Sequence, residues 1–164
     1  MNHIAPFQFP TMTKESTLNG FLYSTDKAKL DVPYIHEFLK KSYWAKEISE
    51  AVVKNSIENS FCVGIYHHDQ QVGFARLITD YATFAYLADV FVDEKYRGRG
   101  VAKGLLQFIL SFEFLNGLRR IMLATLDAHG LYEQFGFQSV QRPDRYMEIH
   151  RPDVYLTHPI LNYD

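Results

Sequence analysis

This sequence has one cysteine, no long apolar run and no large excess of charge of either sign. One cysteine among 164 residues cannot form an internal disulfide, which favours a reducing compartment. Cys62 lies in an apolar run, so we expect a small buried side chain rather than a nucleophile. No apolar run is long enough to cross a membrane, and residues 1–13 lack the apolar core of a signal peptide. The sequence therefore predicts a cytoplasmic protein without a membrane partner.

The charge balance argues against nucleic acid as a partner. The chain carries 17 lysines and arginines against 19 aspartates and glutamates, and its formal net charge is −2. Outside one short turn, no basic stripe remains that could follow a phosphate backbone. His67 and His68 are adjacent, but no cysteine or carboxylate accompanies them at a metal-binding spacing. We therefore expect neither a nucleic-acid partner nor a metal ion.

Hydrophobic periodicity predicts one α+β domain with a mixed, mostly antiparallel sheet of about six to seven strands and about four flanking helices. Residues 1–20 are expected to form a loose N-terminal arm, residues 21–151 the folded domain, and residues 152–164 an irregular C-terminal tail. Continuous apolarity in residues 121–126 indicates a strand covered on both faces and paired in parallel. The other strands are expected at 21–25, 60–67, 71–79, 84–92, 137–140 and 146–150, and the helices near 31–43, 48–58, 101–115 and 129–135.

A turn dense in arginine and glycine follows the strand that ends at Val92. Two glycines stand where the next helix should begin, among four cations: Lys95, Arg97, Arg99 and Lys103. A helix N-terminus offers unpaired N–H groups and a partial positive charge, and glycine lets the backbone approach a phosphate closely. The turn therefore predicts a site for a pyrophosphate.

Glycine spacing excludes two common phosphate-binding motifs. A Walker A loop requires Gly-Lys followed by Ser or Thr, whereas Lys103 here stands between Ala102 and Gly104. In a dinucleotide fingerprint the third glycine would come one residue earlier than Gly104, and an acidic residue would end a strand about twenty residues on. Nucleoside triphosphates and nicotinamide dinucleotides are both disfavoured.

The same residues resemble the GNAT-type N-acetyltransferase superfamily. Its signature is Arg or Gln, two residues of any type, Gly, any residue, and then Gly or Ala. Arg97-Gly98-Arg99-Gly100-Val101-Ala102 meets it, and Leu131-Tyr132-Glu133-Gln134-Phe135-Gly136-Phe137 is a second matching segment. The resemblance spans residues 21–150 and implies a GNAT-like fold with a central splay in the sheet.

The resemblance also implies how acetyl-CoA would be held as a co-substrate. Backbone N–H groups of Arg97, Gly98, Arg99, Gly100, Val101 and Ala102 would hold its pyrophosphate. The backbone at Phe91 and Val92 would pair with its pantetheine amides as an added strand does. That pairing requires the strand to part from residues 121–126, and a bulge near residues 89–91 would allow it. Many members use an asparagine before the second motif; here Thr125 or Asp127 would have to replace it.

Two residues are the candidates for catalysis. Tyr132 matches the general-acid tyrosine of the superfamily, and the alternative is a core tyrosine. Asp89 is a carboxylate in an apolar strand, so its burial requires a partner. It is either the base or amine-binding group, or a bulge residue satisfied by neighbouring N–H groups. His129, one helical turn before Tyr132, is a secondary candidate.

The function predicted from these residues is acetyl transfer from acetyl-CoA to the primary amine of a small molecule in a ternary complex. Aromatic residues expected on the acceptor side and a near-neutral charge favour an amino-acid-like or other small amine as the acceptor. They include Tyr43, Trp44, Tyr81, Phe84 and Tyr86. The alternatives are a catalytically degenerate acyl-CoA-binding sensor or interaction module and a peptide or protein N-acetyltransferase. The sequence leaves open whether the protein forms a homodimer.

Overall fold

A computed structural model of the chain describes residues 13–157. These residues form six strands in one sheet and five α-helices. The strands are β1 (Glu15–Leu18), β2 (Phe21–Ser24), β3 (Phe61–His67), β4 (Gln70–Thr79), β5 (Phe84–Val92) and β6 (Arg120–Leu123). The helices are α1 (Val32–Leu39), α2 (Glu50–Glu58), α3 (Val101–Leu110), α4 (His129–Glu133) and α5 (Val154–Thr157). Between residues 13 and 157, no helix combines the length and apolarity that a membrane span requires.

The sheet follows the order of the chain, β1 to β6. Each pair from β1 to β5 is antiparallel, whereas β5 and β6 are parallel and are joined through α3. This arrangement confirms the predicted α+β fold and the parallel pairing of the strand after α3. Local sequence explains the helix starts, because the Asp31 side chain accepts a hydrogen bond from the Tyr34 amide and that of Ser49 accepts one from Val52.

Two apolar cores cover the two faces of the sheet. One includes the inner side of α3, with Leu105 and Phe108, and the β2 residue Tyr23. The other includes α1 and α2, with Ile35 and Val53 packed toward the β4 residue Phe74. The strands between them are therefore buried on both sides, as in other layered α+β domains.

The described parts of the predicted arm and tail contain regular structure. Residues 1–12 of the predicted N-terminal arm and 158–164 of the predicted tail lie outside the described residues. The described part of the arm contains β1, which pairs with β2 and extends the sheet. The described part of the tail contains α5, from which Tyr155 packs against the core under α1 and α2. Each element is only four residues long, which is too short to be recognised without the neighbours that it packs on.

The two strands predicted after α4, at 137–140 and 146–150, are wrong for the described chain. These residues are not strands, and every side chain from 138 to 153 is exposed. The predicted strand at 121–126 also ends early, at Leu123, and its apolar residues are only half-buried. Alternating apolar residues indicate that a segment can form a strand, but not which neighbour it pairs with.

Gly104 allows β2 to approach α3 closely. A Cβ atom built at this position would lie 2.3 Å from the Tyr23 hydroxyl oxygen. That hydroxyl is buried and donates a hydrogen bond of 2.9 Å to the carbonyl of Val101. The glycine therefore serves packing between helix and sheet rather than a special backbone conformation.

Gly104→Ala is expected to lower the free energy of unfolding by about 2 kcal/mol, because the added methyl group displaces buried Tyr23 or shifts α3. Urea denaturation measures the change. Gly130→Ala in α4 is the matched control, since no atom lies within 4 Å of its Cβ position and its stability should stay the same or rise slightly. Equal stability of the two variants would contradict the close packing inferred at Gly104.

Candidate active site

The site begins where β5 leaves β6. The two strands pair only over Phe84–Leu87 and Arg120–Leu123, so residues 88–92 of β5 continue beside β4 alone. At the point of separation, Asp89 and Val90 together oppose a single β4 residue, Ala75. Asp89 has a left-handed φ of 54°, as expected for the bulged position. The predicted splay and bulge are confirmed, and one edge of β5 is open.

Along β5, successive residues direct their backbone N–H and C=O groups alternately toward β4 and toward the open edge. The amide of Asp93 donates to the Val72 carbonyl at 2.8 Å, so these two residues form a hydrogen-bonded pair. Pairs alternate along an antiparallel ladder, which turns the backbone of Val92 away from β4 and that of Phe91 toward it. The Val92 carbonyl accepts a hydrogen bond of 3.4 Å from Arg97 Nε. Of the two predicted pantetheine-pairing residues, Val92 therefore offers its amide, whereas the backbone of Phe91 is used within the sheet.

The glycine turn has the backbone geometry of an anion site. Gly98 and Gly100 have φ values of 75° and 77°, which side-chain-bearing residues adopt only with strain. The first bond of α3 runs from the Gly104 amide to the Gly100 carbonyl at 2.9 Å, so the amides just before it have no intrahelical acceptor. Successive N–H groups in such a turn form a concave nest that suits a pyrophosphate.

Among the residues predicted to bind the pyrophosphate through their amides, Arg97 already uses its amide within the protein. The Arg97 amide donates to the Glu94 carbonyl at 3.2 Å, because a 3₁₀ turn at Glu94–Tyr96 ends there. The amides available to a ligand therefore begin at Gly98 and continue through Arg99, Gly100, Val101 and Ala102. The Arg97 guanidinium is exposed and approaches Glu94 at 3.5 Å, while Arg99 lies over the Tyr96 ring. These cations add positive charge around the nest.

Asp89 is held by two side chains from different elements. Its Oδ2 pairs with Arg76 Nε of β4 at 2.5 Å, and its Oδ1 accepts a hydrogen bond of 3.1 Å from the Trp44 indole. The Arg76 and Asp89 side chains are only 16% and 9% exposed. Arg76 also donates to the Ser60 hydroxyl at 3.2 Å. The partner that Asp89 required is thus an arginine, not the backbone N–H groups considered from sequence.

Arg76 was missed by sequence reasoning. A usable signal existed, since it is a lone cation in the otherwise apolar run from Val72 to Leu77. Two isolated opposite charges in adjacent buried strands predict an ion pair, because each would otherwise be buried without compensation.

Arg76→Met is expected to lower the free energy of unfolding by about 2 kcal/mol, because it leaves the Asp89 carboxylate largely buried without its cation. Adding Asp89→Asn should recover part of that loss, and urea denaturation of the four combinations gives the coupling energy. Arg142→Met is the matched control, since the Arg142–Asp144 pair is 58% exposed on each side and should contribute little. Additive effects of Arg76→Met and Asp89→Asn would contradict the pairing.

Tyr132 lies on α4 and belongs to the apolar core that includes the inner side of α3. It is only 8% exposed, and its ring packs edge-on against Phe137 at 5.8 Å between centroids. Burial raises the pKa of its phenol above the ordinary value, and the nearby Tyr43 and Asp127 raise it further. Tyr43 forms an edge-to-face pair with Trp44, which in turn reaches Asp89. The loop between α1 and α2 therefore contacts Asp89 through Trp44 and lies near Tyr132 through Tyr43.

The loop before α4 contains Thr125 and Asp127, the two residues considered as replacements for the asparagine of the superfamily. The Thr125 hydroxyl accepts a hydrogen bond of 3.1 Å from the Ala128 amide, whereas Asp127 does not cap the helix and is exposed. Thr125 therefore stabilises the turn itself. His129 is exposed at the first position of α4, three residues before Tyr132.

Cys62, His67 and His68 have packing or surface roles. Cys62 is buried, as predicted, and burial raises the pKa of its thiol to about 12. The His67 ring packs against Phe21 and Tyr96 at 5.2 Å each, and His68 has a left-handed φ in the hairpin loop. Within residues 13–157, no group of three or more histidines, cysteines or acids is arranged to hold a metal ion.

Comparison with known proteins gives one consistent family. The model described as the acetyltransferase (GNAT) family matches residues 27–137. A candidate acetyltransferase of Gibberella zeae is 31% identical over 145 residues, which cover 74% of this chain and 81% of that protein. The crystal structure of a candidate GNAT acetyltransferase from Xanthomonas campestris pv. campestris is 46% identical, with a TM-score of 0.80, and covers 82% of this chain and 96% of its own. N-acetylaspartate synthetase of Xenopus tropicalis is 45% identical over 53 residues, 30% of this chain and 20% of that protein.

Proposed function

The chain belongs to the GNAT family of acetyltransferases, and on this basis we propose that it transfers an acetyl group from acetyl-CoA to the primary amine of a small molecule. Both substrates would be bound together, so that the amine attacks the thioester directly. Holding the two reactants in one groove supplies much of the acceleration through proximity. We also propose a reducing, cytoplasmic compartment, since the single thiol is buried and free.

The observation that carries this proposal is the open edge of β5 that leads into the glycine turn. A pyrophosphate held at the amides of residues 98–102 would direct the pantetheine along residues 88–92. There the Val92 amide is free to pair with it, as in strand addition to a sheet edge. The same edge leads toward Asp89 and the loop bearing Trp44, where the thioester would meet the acceptor.

Asp89 is the residue that we assign to the acceptor amine. Its Oδ2 is held by Arg76, while its Oδ1 receives one hydrogen bond from the half-exposed indole of Trp44. A carboxylate oxygen can accept a second hydrogen bond, so Oδ1 can also receive one from an amine. Arg76 then acts as a positioning residue, because it fixes the carboxylate at the bulge.

Tyr132 is assigned to protonation of the leaving thiolate. The thiolate of a thiol whose pKa is about 8.5 can take a proton from a tyrosine of ordinary pKa about 10. Burial raises the Tyr132 pKa, so the phenol is protonated throughout the neutral range and is able to donate. A second backbone N–H at the open edge, nearer Asp89 than Val92 is, would polarise the thioester carbonyl.

The acceptor that fits best is an amino-acid-like amine. Tyr43 and Trp44 are 66% and 42% exposed beside Asp89, which suits a small molecule with an apolar or planar part. The local match to N-acetylaspartate synthetase, an enzyme whose product is an N-acetylated amino acid, also favours an amino acid. The fold alone does not determine the acceptor, so this assignment is based on the exposed aromatic side chains beside Asp89.

A panel of amino acids, other small amines and peptides, assayed for thiol release from acetyl-CoA with mass spectrometry of the products, tests the proposal. Acetylation of one or more small amines is the expected result. Exclusive acetylation of peptides would replace the small-molecule assignment by a peptide N-acetyltransferase. Tight acetyl-CoA binding without thiol release for any amine would instead indicate a sensor.

A further inference from the structure

In the described part of the chain, α1 and α2 cover only one half of their face of the sheet. On this face Phe74 of β4 is fully buried, whereas Ile78, four residues further along the same strand, is 46% exposed. Ile78 pairs across the strands with half-buried Tyr86, and Phe84 on the same face of β5 is 38% exposed. Large apolar side chains exposed on interior strands offer a surface that a ligand can cover.

A depression in this face lies beside Asp89. The β5 residue that pairs with Arg76 is Ala88, whose side chain is a single methyl group. Ala88 shares its face with Tyr86, two residues before it, and Ile78 lies about 7 Å from Arg76 along β4. The depression is therefore bounded by Arg76, Ile78 and Tyr86. Asp89, bonded to Arg76, stands at its end.

Arg76 and Asp89 present opposite charges at the depression. Asp89 Oδ1 receives one hydrogen bond from Trp44 and has room for another. Arg76 donates through Nε to Asp89 and through Nη1 to Ser60, and no acceptor within residues 13–157 bonds its Nη2. A guanidinium group carries five N–H donors in a fork that matches a carboxylate. The pair thus combines an acceptor for an ammonium group with donors for a carboxylate.

A ligand with a single charge complements only half of this pair. An ammonium group at Asp89 Oδ1 would also lie near the Arg76 guanidinium, which is 2.5 Å from the other carboxylate oxygen. The Arg76 and Asp89 side chains are mostly buried, so water screens that repulsion only in part. A carboxylate on the same ligand would compensate the Arg76 charge. An α-amino acid carries both groups on one carbon atom.

We propose that the acceptor is a free α-amino acid with an apolar side chain. Its amine binds Asp89, its carboxylate binds Arg76, and its side chain lies over Ala88 between Ile78 and Tyr86. The inference deepens the proposed acetyl transfer and rests on it for the fate of the amine. Amines without a carboxylate and the N-termini of peptides are poor acceptors, because a peptide presents an amide where Arg76 requires a carboxylate.

Matched ligands test the carboxylate contact without changing the protein. Thiol release from acetyl-CoA is measured with L-leucine, L-methionine and L-phenylalanine, each beside its amide and its decarboxylated amine. For at least one amino acid, kcat/KM is expected to exceed that of both analogues about 20-fold or more, as for a lost charge-assisted hydrogen bond. Equal or higher values for the amides or amines would overturn the inference and leave acetyl transfer intact.

Trp44 fluorescence separates this inference from the proposed reaction. Trp44 is the only tryptophan of the chain and its indole bonds to Asp89, so a ligand at Asp89 should change its emission. With CoA present, which has no acetyl group to transfer, the amino acids should bind more tightly than their amides. That preference without thiol release would support the recognition and reject acetyl transfer, whereas equal binding would reject the recognition.

Ala88→Val tests where the side chain of the amino acid lies. The added methyl groups narrow the depression, so kcat/KM for L-phenylalanine should fall about 10-fold or more relative to that for glycine. Valine suits a strand, and far-UV circular dichroism verifies that the variant folds. Ala28→Val is the matched control, since Ala28 is exposed between β2 and α1, and it should keep the original ratio. An unchanged ratio in folded Ala88→Val would overturn the placement over Ala88.

Discussion

Acetyl-CoA binding is expected to weaken at least about 100-fold when Gly100 is replaced by glutamate, a loss of about 2.7 kcal/mol. Gly100 has a φ of 77°, so a side chain strains the turn and misaligns its amides. The new carboxylate would also repel the pyrophosphate at the start of α3. Isothermal titration calorimetry with acetyl-CoA and with CoA measures the loss.

Gly117→Glu is the matched control for this substitution. Gly117 is exposed and no atom lies within 4 Å of its Cβ position, so the added charge is the same but far from the turn. The Gly100 variant has room for a side chain, because the nearest atom is Asn19 Nδ2 at 3.8 Å, and it should fold. A folded Gly100→Glu protein that binds acetyl-CoA as tightly as the control would remove the glycine turn from the site.

Tyr132→Phe is expected to lower kcat about 100-fold or more while leaving acetyl-CoA affinity nearly unchanged, because only the proton donor is lost. The phenylalanine keeps the buried ring and its contact with Phe137. The pH profile gives a second readout. Since burial raises the Tyr132 pKa, the unsubstituted enzyme should keep this proton until the pH passes above the ordinary tyrosine value, and the variant should lack that alkaline decline.

Tyr146→Phe is the control for loss of a tyrosine hydroxyl, because Tyr146 and Tyr132 both line the cleft between β6 and the chain after α4. Tyr146 is 38% exposed, and the Tyr146→Phe variant should keep nearly all of the enzyme's activity. If Tyr132 serves only packing, its variant will show lower stability with unchanged kcat and an unchanged pH profile. That result would assign thiolate protonation to another group or to water.

The parts of the fold that sequence predicted are those defined by local pattern. β3, β4 and β5 are apolar runs bounded by polar turns, and α3 has an apolar face of helical period behind its glycines. For these elements the information lies within about ten consecutive residues. The open edge of β5 was instead expected from the family resemblance, which required a bulge near residues 89–91.

What the sequence did not predict depends on partners distant in the chain. The pairing of Asp89 with Arg76 joins two strands and two residues that are 13 positions apart. Residues 137–150 have strand-like composition, yet none of them is in a strand of the described chain. A pattern specifies what an element can bury, whereas its neighbours decide whether it does.

The open half of β5 couples ligand binding to the stability of the folded chain. A ligand that pairs with the Val92 amide would add a hydrogen bond beside the one that the Val92 carbonyl already accepts from Arg97, so it would stabilise the folded chain by linkage. The gain grows with the logarithm of ligand concentration and reaches about 2.7 kcal/mol at 100 times the dissociation constant. We therefore expect the folded chain to be increasingly protected as the acetyl-CoA concentration rises. Slowed amide exchange at residues 88–92 would mark the molecules that are protected.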